Sequence, residues 1–431
     1  MWWGDRDGQV ERFSRDDTTW GHQIDRAVLD PLLLDAASRA GARVEPGARV
    51  HRIDLHDGAP RVTYETRGRA RVCTARLVLD CSGRAGAVAA SHSLRRHVPG
   101  GRMQALVGVW TRPGPWLLQN PSHTFIETCR DGWAWSLPTA EAIRHVGVML
   151  DGATSSMTRR PTLEATYRSQ LGLTLRIHQQ VRGATLDRVF ACDATIYTAT
   201  SHAGPGYLLV GDAGSTLNPL SSFGVKKALA SAWLASVVAN TCLTRPELTH
   251  DAQAFFSRWE AEIWQMNLMR SRDFAREALA THQSPFWATQ AAAPVDESAV
   301  PLNEAALLTA PDVIRELERL RRADSVVISR STKPTLVSAP IVRGNIINTE
   351  QAVVLGDRPR DVLRYARGID LVVLATIAQS HSGVPEIYED YCARLGRVPL
   401  PALLGTLSLL IARGVLRADA RGVGARSPSN A

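Results

Sequence analysis

Lysine is nearly absent from this chain: of its 50 basic residues only Lys226, Lys227 and Lys333 are lysines. A bias toward arginine on that scale reflects genome composition better than an arginine-based function. The net charge of +8 is spread along the chain rather than gathered in a patch, which argues against nucleic-acid binding. The six cysteines (Cys73, Cys81, Cys129, Cys192, Cys242, Cys392) form no C-x-x-C pair and read as reduced, mostly buried thiols of a cytoplasmic protein. No apolar run is long and uncharged enough to span a membrane, since the longest carry Lys226 and Lys227 or Arg413. The start does not resemble a signal peptide, so a soluble chain without a membrane partner is expected. Residues 1–19 are polar and tryptophan-bearing, and no apolar strand there leads into a G-x-G-x-x-G turn. No Ser/His/Asp or metal-ligand spacing stands out.

What is present is a large chain of ordinary hydrophobic content, 431 residues and 45% apolar, enough for two or three domains. Its organising stretch is residues 204–243. Residues 207–210 (Y-L-L-V) suit a buried strand, Gly211-Asp212-Ala213 breaks it, and a proline-containing turn leads into a helix over 223–243. The Asp212 carboxylate can accept hydrogen bonds from sugar or ribityl hydroxyls. Gly224 lets backbone approach a flat ligand, and the helix N-terminus offers free N–H groups.

In chain order, the spacing predicts a helix over 29–40 and a strand at 42–44. Alternating stretches at 49–54 and 61–64 then pair with 71–79 as a meander. Residues 77–86 (L-V-L-D-C-S-G-R-A-G) add an apolar strand with an acidic end and a glycine turn. Strands follow at 104–111 and 145–150. Between them Trp133 and Trp135 alternate on a strand, so both rings share one face, either as a wall beside a ligand or as core filling. A helix at 163–170, a strand at 189–200 and an aromatic-rich helix at 255–279 complete this part. His202 could act as a base, although a structural role suits a histidine in such a loop better. Residues 282–301, with S-P, A-A-A-P and V-P breaks, read as a linker. Beyond it come a charged helix at 303–322, strands within 336–354, helices at 369–379, 384–395 and 401–413, and a strand from 414. The helices at 384 and 401 lack a basic face, so a packing or partner-protein role fits them better than DNA binding. Residues 422–431 read as a disordered tail.

The order of motifs from Trp20 to about Ala278 resembles the FAD-dependent aromatic hydroxylases and flavin-dependent halogenases. It runs from Asp25-Arg26 and its helix, through Asp80-x-Ser-Gly-Arg and Gly211-Asp212-Ala, to Asn218-Pro-Leu-Ser-Ser and Gly224-Val225. The segment 132–138 (G-W-A-W-S-L-P) is similar to the W-x-W-x-I-P signature of the halogenases. The resemblance implies that Arg26 reaches the FAD phosphates or ribityl chain. Asp80 and Gly83 would form the second cofactor motif, Gly211 and Asp212 would bind the ribityl hydroxyls, and Pro219, Gly224 and Val225 would line the flavin ring. Trp133 and Trp135 would stand on the substrate side. The scarce lysines sit against the dipole in the first turn of their helix. Lys226 or Lys227 would meet negative charge on cofactor or substrate; the alternative is a solvated pair on an exposed turn. The missing fingerprint implies a chain lacking its first βαβ unit, or else a relative that has dispensed with FAD.

The expected fold is therefore α/β, an FAD/NAD(P)-binding glutathione-reductase-like fold lacking its first βαβ unit. Residues 1–100 and 190–281 would form the FAD-binding domain and 101–189 an antiparallel-sheet substrate domain. After the linker, 302–421 would form a winged-helix-like module. The expected activity is hydroxylation of an aromatic, indole- or tryptophan-type ring through a flavin C4a-hydroperoxide. Reduced flavin would come from a reductase or NAD(P)H, and the substrate would be a small aromatic or a protein-bound tryptophan. A faint likeness to the monooxygenases that hydroxylate protein-bound tryptophan rests on layout and on residues 221–233. The alternatives are a flavin-dependent halogenase and a cofactor-free maturation or partner protein. An in-frame G-x-G-x-x-G in the DNA upstream of Met1 is the expected observation if FAD is retained; its absence would favour the cofactor-free reading.

Overall fold

The computed structural model describes residues 1–4, 8–10, 21–55, 59–152, 162–322, 325–330, 336–356, 358, 361–381 and 383–421. Trp20, Lys333 and the tail at 422–431 lie outside them. The chain divides into two compact units, Met1–Ala235 with Phe256–Ala299, and Ser236–Phe255 with Val300–Ala431.

In the first unit, α1 (Arg26–Arg39) starts where the Asp25 side chain accepts the Ala27 N–H at 2.8 Å. None of its residues is buried: Val28, Leu32, Leu33 and Leu34 are all exposed. The strand expected at 42–44 does not form; Gly41 takes a φ of +98° and the chain stays irregular until β1 (Arg49–Asp54). The meander is β1, β2 (Arg61–Thr66) and β3 (Arg69–Thr74), antiparallel throughout. Residues 71–79 do not make a single strand. The chain leaves the meander at Thr74, and β4 (Val78–Asp80) joins a different sheet. After α2 (Ala87–Ser91) and β5 (Arg95–His97) comes the principal sheet.

That sheet is built from β6 (Met103–Thr111), β7 (Phe125–Cys129), β8 (Gly132–Ala140), β9 (Ile143–Asp151) and β10 (Thr185–Asp193), in the spatial order β10-β6-β9-β8-β7. Every pairing is antiparallel. The two-residue period of a strand gives it two apolar faces. On one lie Met103, Ala105, Val107, Trp133 and Met149. On the other lie Leu106, Trp110, Ala134, Val146 and Val148, packed with residues of α3 (Leu163–Leu171) and α4 (Arg176–Gln180). Tyr167 of α3 crosses Gly108, where any Cβ would collide with the phenol. Its hydroxyl donates to the Val146 carbonyl at 3.0 Å and accepts from Trp110 Nε1 at 2.8 Å. The buried Glu127 carboxylate accepts the N–H groups of Leu175, Arg176 and Ile177 at 2.8–3.1 Å, fixing α4 to β7 by its N-terminus.

The chain then breaks the strand expected at 189–200. β10 ends at Asp193 and β11 (Tyr197–Ala199) pairs with β5. β12 (Ala203–Gly204) and β13 (Tyr207–Leu209) form a short hairpin, and β13 runs parallel to β4. Beyond them run α5 (Gly224–Thr244) and α6 (Thr249–His282), and the unit boundaries fall inside these helices. The expected linker is corrected here. Residues 285–291 form α7 (Pro285–Ala291), with Phe286 and Trp287 buried; Trp287 Nε1 donates to the Cys129 carbonyl at 2.9 Å. Aromatic burial of this size holds the segment in the core.

Past residue 299 the second unit continues with α8 (Glu304–Leu308) and α9 (Pro311–Arg322), two helices where one was expected, divided ahead of Pro311. The strands are β14 (Ser325–Arg330), the hairpin β15 (Leu336–Arg343) and β16 (Ile346–Val354), and three two-residue strands, β17 (Val362–Leu363), β18 (Tyr365–Ala366) and β19 (Ile369–Asp370). Three helices, α10 (Leu371–Ile377), α11 (Val384–Leu395) and α12 (Leu400–Ala412), precede β20 (Leu416–Arg421), which pairs with β14. The core of this unit gathers Leu371, Leu374, Ile387, Leu403, Leu407 and Leu410. Among the described residues no single helix is long and apolar enough to cross a membrane. All six cysteines are free, and the expectation of mostly buried thiols fails: only Cys129 is buried, and burial pushes its thiol up to about 12.

Glu127→Ala would leave three helix N–H groups without their charged acceptor. The expected loss is about 3 kcal/mol of unfolding free energy, read from urea denaturation of the two proteins.

Candidate functional site

The parallel pair β4 and β13 delivers two turns to the same place, and in open parallel sheets ligands sit outside the carboxyl ends of strands. At the end of β4, the Asp80 carboxylate is already engaged. It accepts from Ser82 N at 3.0 Å and from Val88 N at 2.7 Å, and takes the Ser82 hydroxyl as well. Asp80 therefore shapes the turn and starts α2. Gly83, with a φ of +64°, opens the tight helical turn that follows, and nothing stands within 4 Å of where its Cβ would be. The next glycine, Gly86, brings this turn against the second one: a Cβ there would lie 3.4 Å from the Ala213 carbonyl.

The second turn, after β13, is Gly211–Ala213. Gly211 adopts a φ of +61°, where a side chain is disfavoured, and Ala228 of α5 closes over it. Both of its backbone polar groups are held by side chains. Its N–H donates to Ser231 Oγ at 2.9 Å, and its carbonyl accepts from Lys227 Nζ at 2.7 Å. Lys227 also donates to the Ser215 carbonyl at 2.8 Å and to Ser215 Oγ at 2.9 Å. These three bonds use all three ammonium hydrogens. Glu260 Oε2 consequently faces the ammonium as a charge at 3.3 Å without a hydrogen of its own. Glu260 Oε1 accepts from Ser231 Oγ, and both ions are buried. Burial raises the Glu260 pKa, against the opposing pull of Lys227.

Asp212, presented by this turn, has its carbonyl held by the Tyr197 hydroxyl at 2.7 Å. The Tyr197 ring lies under the Arg95 guanidinium at 4.0 Å and within 5.4 Å of Arg84. The half-buried Asp212 carboxylate makes no hydrogen bond among the described residues, so its acceptor sites are available to a ligand. Arg26, bound to Asp30 at 2.6 Å and 2.7 Å, lies near enough to feel that carboxylate. Its guanidinium is held above its ordinary pKa first by Asp30 and, further down, by Asp212.

Past Asp212, Asn218 caps the Pro219–Ser221 turn by accepting the Leu220 N–H at 3.1 Å. Pro219, Gly224, Val225 and Lys226 are exposed, and nothing approaches a Cβ at Gly224 within 4 Å, which leaves the N-terminal face of α5 open. Farther along α5, Leu229 and Trp233 are also exposed. The lysine pair separates. Lys226 reaches over the Phe223 ring at 5.2 Å, whereas Lys227 is neither solvated nor aimed outward, its charge being met by a protein carboxylate.

Trp133 and Trp135 do share a face of β8, and Trp135 lies over Gly147, where a Cβ would strike the indole. Trp133 lines a narrow cleft with room for about one water molecule, partly open to solvent, with Trp3, Met103, Asn218 and Trp287. A second, closely packed apolar cleft has Trp264, Leu217 and Asn267 in its wall, and the two clefts share Asn218 and Ser271. Asn267 Nδ2 donates to the Ile263 carbonyl at 3.0 Å, which leaves Oδ1 as the buried acceptor with no partner. His202 is buried against Gly214; burial, with Lys227 adding to it, pushes its pKa down to about 3 and keeps the imidazole neutral, which suits the structural reading.

The structure thus places Arg26 near the Asp212 carboxylate beside Gly211, and Trp133 in the cleft that Asn218 walls; Tyr197, Ser231, Glu260 and Asn267, which sequence reasoning did not single out, lie with them. Ser231 lies four residues after Lys227 on one helix face, a signal that was available. Glu260 and Asn267 were hidden among the aromatics of α6.

A strand-turn-helix carrying an available carboxylate, joined through Asn218 to an indole-lined cavity, defines an α/β cofactor-binding protein with an adjoining apolar pocket. The tryptophan halogenase family model matches residues 6–310, and the chain belongs to that family, whose flavin-dependent members use FAD. It is 24% identical over 275 residues to a tryptophan 2-halogenase of Chondromyces crocatus, covering 62% of this chain and 52% of that one. It is 28% identical over 268 residues to a flavin-dependent halogenase of Armillaria mellea, covering 55% and 50%. The chain thus spans about half the length of these curated relatives. The fold is that of the flavin-dependent halogenase CmlS, with a TM-score of 0.71 at 20% identity over 92% of this chain and 78% of that one. The peptidyl tryptophan dihydroxylase QhpG superposes with a TM-score of 0.60 at 21% identity, covering 91% and 80%.

The neutral burial of His202 has a consequence for stability. Its folded pKa is depressed, so between about pH 6.5 and 3 the unfolded chain binds a proton that the native chain does not, and stability falls as pH falls. From pH 7 to 5 this group alone accounts for about 2 kcal/mol. Urea midpoints at the two pH values are expected to separate less in His202→Gln than in the parent.

Proposed function

We propose that the chain carries the ribityl and ring side of an FAD site and serves flavin-dependent halogenation of an aromatic ring, the activity ranked second from sequence. Family membership and the halogenase names of its relatives support this reading. The observation that carries it is the continuity of the site: Asn218 belongs both to the turn that follows Asp212 and to the walls of the two clefts. The residues fit the cofactor on this side, since Asp212 offers unclaimed acceptor sites and the N-terminal face of α5 is open. When bound, FAD would supply the oxygen activation; no side chain need be a nucleophile. Asp212 would accept hydrogen bonds from ribityl hydroxyls, with Arg26 nearby for phosphate. Pro219, Gly224 and Val225 would bound the ring, and Lys226 would offer positive charge to it. Asp80 and Gly83 would contribute as backbone, because the Asp80 carboxylate is engaged.

On the substrate side, Trp133 and the neighbouring indoles would form an apolar wall that excludes water, with Trp135 beside it. Asn267 Oδ1 would accept the N–H or O–H of a ring substrate, since a buried acceptor left unpaired is costly. A relative in Pseudomonas fluorescens acts on a pyrrole-carbonyl group held on a peptidyl-carrier protein. A carrier-bound aromatic is therefore a substrate class beside the free small molecule and the protein-bound tryptophan.

The test supplies the chain with a flavin reductase, FAD, oxygen and bromide or chloride, and offers indole, pyrrole and phenol substrates, free and carrier-bound. Mass spectrometry is expected to show replacement of a ring hydrogen by halogen. Gain of one oxygen at equal halide would instead favour hydroxylation, the reading ranked first from sequence. No product, with no flavin bound, would favour a maturation or partner role.

A further inference from the structure

We infer that Lys227 and Glu260 form a buried clamp that positions the Gly211–Asp212 turn, and that flavin affinity depends on the clamp; the last clause rests on the function proposed above. Three observations converge. First, Gly211 is held from both sides by side chains: Ser231 takes its N–H and Lys227 its carbonyl. Second, the two grips are one network. Glu260 accepts the Ser231 hydroxyl hydrogen, which turns the Ser231 lone pair toward Gly211, and the same carboxylate neutralises Lys227. Third, the ammonium bridges two carbonyls four residues apart, Gly211 and Ser215, and so reinforces the loop that presents Asp212, where the Gly214 and Ser215 N–H groups also donate to the Gly211 carbonyl at 3.2 Å and 3.3 Å.

A merely stabilising contact would not need these ions. Taking two charges out of water is costly, and a well-packed apolar pair of similar size is often as stable or more so. An apolar pair cannot, however, hold two carbonyls and set a hydroxyl rotor. The clamp also links the two halves of the site. Glu260 lies on α6 seven and eleven residues before Asn267 and Ser271, a spacing that returns to one helix face. Both of those residues wall the second cleft, and Ser271 the first as well, so the helix that supports the Asp212 turn also carries part of the pocket.

The experiment compares the parent, Lys227→Met/Glu260→Met and Ser231→Ala, using FAD as the probe. Thermal unfolding reports the fold, flavin fluorescence titration the affinity, and hydrogen exchange of the 211–215 amides the turn. The double variant is expected to melt within a few degrees of the parent yet to bind FAD about tenfold or more weakly. Its 211–215 amides should exchange about tenfold or more faster. Ser231→Ala, which removes only the N–H grip, is expected to show a smaller loss in the same direction. Unchanged affinity in both variants would overturn the inference. If the double variant does not fold, Ser231→Ala decides by the same readouts. If the parent binds no flavin, that counts against the proposed function, and the clamp is judged by exchange alone: faster in the variants supports it, unchanged overturns it.

Discussion

The contact between the Lys227 ammonium and the Glu260 carboxylate, 3.3 Å apart beneath the Gly211 turn, is the interaction on which the site depends. Without the carboxylate, a lysine at this depth would stand as an unpaired charge, which is among the costlier faults a core can carry. Without the lysine, the Gly211 and Ser215 carbonyls would lose their shared donor. The half-buried Asp212 carboxylate on the turn this pair supports makes no hydrogen bond among the described residues. A buried network that holds the turn, with an acceptor at its tip that makes no hydrogen bond, is an arrangement suited to a ligand.

The rest of the first unit serves that arrangement. The five-stranded sheet supplies the Trp133 wall on one face, while its other face is locked by Tyr167 over Gly108 and by Glu127 at the start of α4. Neither lock touches the candidate site; residues of α6 and α7 pack on the Trp133 face instead. Trp287 on α7 then closes the pocket from a segment whose prolines disguise it as a tether.

Much of this was legible in the sequence where local chemistry and final position agree. Gly211-Asp212 announces a break after a buried strand, and the alternation of Trp133 and Trp135 puts both on one face. The meander at 49–74 and the long α5 and α6 follow from their periodicities. Legibility failed where tertiary partners decide. Nothing local reveals that the chain leaves the meander at Thr74 so that Val78–Asp80 can pair in parallel with Tyr207–Leu209. Asp80 reads as a ligand-binding acid until its carboxylate is seen capping α2. Lys227 reads as a charge meant for cofactor, substrate or solvent because Glu260, 33 positions later, is the residue that makes its burial tolerable.

The exposed apolar residues of α1 and of α5 mark faces that the described residues leave uncovered, Trp233 at 58% exposure among them. The central claim concerns what the Asp212 turn does, and one titration addresses it: FAD added to the parent chain and to Asp212→Ala, followed by flavin fluorescence and visible absorbance. The account predicts saturable binding by the parent and a loss of about tenfold or more in the variant, whose melting point stays close to the parent's. Equal affinity in the two proteins would contradict it.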